Sequence, residues 1–134
     1  MQTYINLPVQ DLKKSIEFFT KLGFTFNPQF TDETATCMII HEGASYAMLL
    51  TIPKFQQFIP GKDVVDAKKL TESLIALSLD SREAVDTMAN TAIEAGGRNY
   101  RTEDLDFMFT RAIEDLDGHV WELFYMDQSK FPQA

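Results

Sequence analysis

The chain has 134 residues, 45% of them apolar and 12% aromatic, which suits one folded domain with its own core and excludes a disordered segment. Acidic side chains outnumber basic ones 20 to 12, for a formal net charge of −8. That excess speaks against nucleic acid as a partner, because phosphate-tracking surfaces concentrate Lys and Arg. It repels anionic membrane surfaces and steers cationic ligands inward. The single thiol, Cys37, cannot close an internal disulfide. No apolar run approaches the ~18 residues of a membrane span, and Met1-Gln2-Thr3-Tyr4 lacks the basic and apolar regions of a signal peptide. The expected location is cytoplasmic, with no membrane partner.

The chain repeats itself at half-length. Ile5-Asn6-Leu7-Pro8-Val9 alternates like a strand, and Asp11 then stands as a helix cap before Leu12, Ile16, Phe19 and Leu22, with Gly23 ending the run. About seventy residues on, Ile75-Ala76-Leu77-Ser78-Leu79 alternates in the same way. Asp80 or Ser81 can cap a second helix carrying Val85, Met88, Ala89 and Ala92, closed by Gly96-Gly97. Three strand candidates follow each helix: 24–27, 35–40 and 46–51, then 98–102, 107–113 and 119–125. The turns between them are polar or Gly-bearing, among them Asp32-Glu33-Thr34, Glu42-Gly43-Ala44 and Asp115-Leu116-Asp117-Gly118. Residues 52–70, with Pro53, Pro60-Gly61, Phe55 and Phe58, read as a connector with room for a short helical turn.

Strand alternation assigns faces. If Ile5, Leu7 and Val9 meet the first helix, Tyr4, Asn6 and Pro8 point the other way. If Ile75, Leu77 and Leu79 meet the second, Leu74, Ala76 and Ser78 form the opposite set. Glu122 lies in an apolar strand, flanked by Val120, Trp121, Leu123 and Phe124. Burying a carboxylate costs several kcal/mol unless it is paired, so Glu122 either faces water at a pocket wall or is answered by a cation or donor. Arg111, one strand away, is a candidate partner or a grip for an anionic ligand.

Ile5-Asn6-Leu7-Pro8-Val9-Gln10-Asp11, followed by Leu22-Gly23-Phe24, resembles the opening of the vicinal-oxygen-chelate superfamily: glyoxalase I, bleomycin-resistance proteins and extradiol dioxygenases. Asp115-Leu116-Asp117-Gly118-His119-Val120-Trp121-Glu122 is similar to that superfamily's closing turn and strand. The resemblance covers nearly the whole chain. It implies an α+β fold of two βαβββ modules forming an eight-stranded open cup, here one domain with modules at 1–52 and 71–126, a connector at 53–70 and a tail at 127–134. It also implies a homodimer and a small-molecule ligand in the cup.

The resemblance also implies a divalent metal held by one residue from the first and last strand of each module. Only Glu122 matches that pattern. Tyr4 and Leu74 stand at the opening positions, and Tyr46-Ala47-Met48-Leu49-Leu50-Thr51 offers no carboxylate, His or Gln. Leucine supplies no donor atom. The expected cofactor is therefore none, with an incomplete metal site. Tyr4, Asn6, Leu74, Arg111 and Glu122 are the expected pocket residues, and Glu122 the candidate catalytic group. Three readings stay open: a metal-poor binding or resistance protein, a glyoxalase-like lyase or dioxygenase that recruits an ion through Glu122 and non-standard partners, and a subunit or regulatory domain with no free ligand.

Other patterns read as structure. Cys37 and His41 are too far apart along a strand to form a nucleophilic pair, and Cys37 is expected as a small buried hydrophobe. His119 is expected as an exposed turn residue. Asp115-Leu116-Asp117-Gly118 is not a calcium loop, since Ile113 and Phe124 occupy that loop's first and last ligand positions.

Overall fold

The computed structural model describes residues 1–131. It contains two compact units, Met1–Val65 and Asp66–Ala134. The first runs β1 (Thr3–Val9), α1 (Leu12–Lys21), β2 (Thr25–Asn27), β3 (Ala35–His41), β4 (Ser45–Thr51) and α2 (Ile52–Gln57). The second runs β5 (Leu74–Ser78), α3 (Arg82–Glu94), β6 (Arg98–Asp104), β7 (Met108–Glu114) and β8 (Val120–Met126). Each unit holds one four-stranded sheet, ordered β1-β4-β3-β2 and β5-β8-β7-β6. In both, the first strand lies parallel to the last and the remaining pairs are antiparallel. This is the twice-used βαβββ order expected from the repeat.

Local chemistry sets the helix starts. The Asp11 carboxylate accepts the Lys14 N–H at 3.1 Å, and the Ser81 hydroxyl accepts the Ala84 N–H at 3.0 Å, each satisfying a donor that the first helical turn leaves open. Of the two candidates for the second cap, Ser81 is the one used. The anticipated turn in the connector is α2, with Pro53 in its first turn, where the missing N–H costs nothing.

The same topology is packed in opposite ways. Helix α1 brings large groups to its sheet: Phe18 and Phe19 are buried, their rings edge-to-face at 4.9 Å. The strands beneath supply Val9, Ala47 and Leu49. Helix α3 buries only Val85, Ala89 and Ala92, and here the sheet supplies the bulk through Phe109, Ile113, Trp121 and Leu123. In each unit a bulky side meets a small one, as close packing requires. Buried Thr36 is satisfied by the Thr31 hydroxyl at 2.8 Å, which in turn donates to the Asn27 carbonyl.

The β7–β8 turn is anchored by a buried carboxylate. Asp115 Oδ1 accepts the N–H groups of Asp117 and His119 at 2.9 and 3.0 Å, and Oδ2 accepts the Trp121 indole N–H at 2.9 Å. Burial raises the Asp115 pKa above the usual carboxylate range, partly opposed by His119 and by these donors. Gly118 closes the turn at φ +92°, where a Cβ would stand 2.7 Å from the Lys68 amide nitrogen. His119 proves half-buried rather than exposed, because its backbone N–H is held against Asp115.

Candidate functional site

Each sheet has one face packed on its own helix and one face turned away from it. In the first unit, Tyr4 and Asn6 lie on the face away from α1, as alternation from Ile5, Leu7 and Val9 requires. Tyr4 is opposite Tyr46 across the parallel β1–β4 pair. The two rings stack at 4.7 Å with an interplanar angle of 13°. Tyr46 is buried and its hydroxyl accepts the Gly43 N–H at 2.7 Å, so it forms a fixed platform under Tyr4, which stays 50% exposed. Partial desolvation and the neighbouring Tyr46 raise the Tyr4 pKa further above its ordinary value, which keeps it a neutral phenol. Asn6 stands opposite Met48, and Met48 opposite Cys37. Cys37 is buried, as anticipated for a small hydrophobe, and burial pushes its thiol pKa up, away from nucleophilic reactivity.

In the second unit, Leu74, Ala76 and Glu122 share the face away from α3. Glu122 on β8 lies between Ala76 on β5 and Ala112 on β7, a strip of small side chains that leaves the carboxylate standing above its neighbours. Leu74 pairs with Val120, two residues along the same face, and is 56% exposed. The positive partner of Glu122 is Arg101, whose NH2 group donates to Oε2 at 2.5 Å across Ala112. Glu103 Oε2 lies 3.9 Å from Arg101 NH1, beyond hydrogen-bond reach.

Arg111 does not meet Glu122. It is opposite Leu123, hence on the α3 face, where NH1 donates to Asp86 at 3.0 Å and Asn90 at 2.8 Å while Nε and NH2 donate to Asn99. Adjacent positions on a strand point to opposite faces, so Ala112, and not Arg111, is the neighbour of Glu122. Arg111 therefore clamps α3 to its sheet.

Sequence reading missed Arg101 for a structural reason. The β6–β7 register shifts between Asn99 and Arg101, with Tyr100 as the extra residue of a bulge. Without it, alternation would place Tyr100 opposite Ala112. A bulge reverses the facing of every residue beyond it, and nothing in Arg98-Asn99-Tyr100-Arg101 announces one. On β7, Phe109 is buried beneath the Arg82 guanidinium at 5.3 Å, while Phe58 of the connector is exposed.

Among the described residues, no three His, Cys, Asp or Glu side chains gather as a metal-holding group. Leu74 has no donor atom, and a guanidinium already answers the Glu122 carboxylate. The donor set of the second sheet does not fit a divalent ion.

Residues 2–40 match the family model for the N-terminal part of bleomycin resistance protein-like proteins. No curated protein matches the chain. Solved structures do. A hypothetical protein, SA1046, from S. aureus is 28% identical over 93% of both chains, with a TM-score of 0.77. A glyoxalase-related enzyme from Fulvimarina pelagi is 18% identical over 100% of this chain and 92% of its own, at 0.78. The fosfomycin resistance protein FosX from Mesorhizobium loti is 13% identical over 97% and 95%, at 0.68. The paired βαβββ modules define a class, the glyoxalase/bleomycin-resistance/dioxygenase fold. The chain shares that fold, and its opening segment matches the bleomycin resistance protein-like model.

Proposed function

We propose that this chain is a metal-independent binder of a small organic molecule, held at the open face of the second sheet, which carries Leu74 and Glu122. The observation that carries this reading is the Arg101–Glu122 pair. The one carboxylate that matches the superfamily's metal-binding pattern is engaged by a permanent organic cation, so no ion is needed to neutralise it. The exposed Leu74 side chain adds apolar surface of the kind that small ligands cover. Catalysis that depends on Lewis-acid stabilisation of an enediolate or oxygen adduct is not part of this reading, because Glu122 alone cannot supply it.

We also propose a homodimer. The edge strand β6 is exposed at all seven positions, and an open edge of that length offers unpaired backbone groups to a neighbour. Light scattering on the purified chain tests this, with a monomeric mass as the contrary result. No described helix is long and apolar enough to cross a membrane.

The binding reading is tested by a thermal-shift screen of small metabolites and antibiotics, run with and without a chelator and paired with elemental analysis of the purified protein. A true ligand at ~100 times its dissociation constant stabilises by about 2.7 kcal/mol, and that shift is expected to survive the chelator. A stoichiometric divalent ion, removable with loss of the shift, would overturn the reading.

A further inference from the structure

We infer that Arg101 and Glu122 together form a neutral donor–acceptor anchor, and that the ligand it selects presents an uncharged cis-amide edge: a lactam, cyclic imide or cyclic urea. This inference rests on the binding reading above and names the chemistry of its site.

The argument starts from the groups left over once the pair has formed. Arg101 uses NH2 on Glu122 Oε2. Its NH1 has Glu103 Oε2 at 3.9 Å, which attracts without hydrogen-bonding, so the guanidinium keeps N–H donors for a visitor. Glu122 keeps its second oxygen, Oε1, which accepts from no other described group. Side-chain exposures of 43% for Arg101 and 20% for Glu122 leave both within reach from solvent. A donor and an acceptor thus stand side by side. Their flanks are Ala76 and Ala112, too short to screen them. The complementary partner carries an acceptor and a donor on neighbouring atoms, as the C=O and N–H of a cis-amide do.

Charge narrows the class further. A carboxylate ligand would find one guanidinium beside two carboxylates, Glu122 and Glu103, within a chain of net charge −8. A cationic ligand would compete with Arg101 for Glu122 and meet it at close range. A neutral amide adds two hydrogen bonds to charged groups without adding a charge, and such bonds are the stronger kind. The edge-on geometry excludes an open-chain secondary amide, which is trans and points its C=O and N–H in opposite directions, whereas a ring amide fixes both on one edge.

A ring-matched series tests this by amide-detected NMR titration: valerolactam and glutarimide against N-methylvalerolactam, cyclohexanone, cyclohexanecarboxylate and cyclohexylammonium. The lactam and imide are expected to shift β7 and β8 amides and to bind at least about tenfold more tightly than the N-methyl compound and the ketone, the loss of one hydrogen bond to a charged group. Arg101→Lys, which keeps the charge but loses the planar fork, and Glu122→Gln are each expected to weaken the lactam about tenfold while the melting temperature stays close to wild type. Several outcomes would overturn the inference: N-methylvalerolactam binding as well as valerolactam, preference for a charged ring, indifference to both substitutions, or no lactam binding at tens of millimolar. If the broad screen still yields ligands that ignore Arg101→Lys, this anchor fails and the binding reading stands. If that screen yields none, the reading itself fails.

Discussion

The two units share one topology and differ in what they do with it. On the first sheet the face away from the helix is aromatic and uncharged, with Tyr4 stacked on Tyr46 beside Asn6, Met48 and Cys37. On the second, the equivalent face carries an ion pair on an alanine floor. Duplicated architecture therefore constrains where a site stands on each sheet and leaves its chemistry free, because outward-facing positions are not needed to hold the helix down.

The helix-facing sides show the same division, with bulk supplied by α1 in one unit and by the sheet in the other. Trp121→Ala removes the largest group on the second sheet and strips Asp115 of an indole donor, so it is expected to destabilise by about 3–5 kcal/mol. Phe19→Ala removes a helix residue in the first unit and should fall in the same range. Denaturant titration compares the two, and a cost below about 1 kcal/mol for Trp121→Ala would show that the Asp115 turn does not depend on it.

Gly118→Ala comes next. Its Cβ would collide with backbone atoms of Ala67 and Lys68 at a positive φ, so about 2–3 kcal/mol is expected. Gly43, also at positive φ but with open space around it, should lose less on the same change. Equal losses would mean that conformation alone, and not the passing chain, sets the cost.

A smaller effect separates two turn carboxylates. Asp32 in the first unit is exposed, and its pKa is lowered chiefly by the backbone N–H and hydroxyl of Thr34. Asp115 makes comparable hydrogen bonds but is buried, and its pKa is raised. The signs follow by linkage. Asp32 adds stability above the unfolded carboxylate pKa, about 3.9, and loses it as pH falls through its lower folded value. Asp115 binds its proton more tightly when folded, so its contribution is fullest below the unfolded pKa and declines as pH rises through the raised value. Carboxyl-detected NMR should show the two moving in opposite directions from that reference, and Asp115→Asn should remove the fall in stability with rising pH that this group contributes.

The smallest expected change is at the candidate site. Glu122→Gln breaks a partly exposed ion pair, and such pairs contribute about 0–1 kcal/mol. A loss of several kcal/mol would make Arg101–Glu122 a structural clamp like Arg111.

Most of the architecture was legible because it rests on local signals. Asp11 and Ser81 cap their helices, and the alternation in Ile5-Asn6-Leu7-Pro8-Val9 and Ile75-Ala76-Leu77-Ser78-Leu79 placed Tyr4, Asn6, Leu74 and Ala76 on the faces where they stand. Glu122 was conspicuous as a carboxylate among apolar neighbours. The partner of Glu122 was not legible. Arg111 was the candidate by proximity in sequence and strand order, and strand parity sends it to the helix.

By itself, then, the sequence determined the repeated strand–helix order, the first helix cap and the turn residues, and it marked one acid as out of place among apolar neighbours. Tertiary structure alone decided that Arg101 meets that acid and that Asp115 is buried under an indole. The first depends on the β6–β7 register, which a single bulged residue, Tyr100, changes with no local signature of its own, and the second on how the β7–β8 turn brings the Trp121 indole back to Asp115.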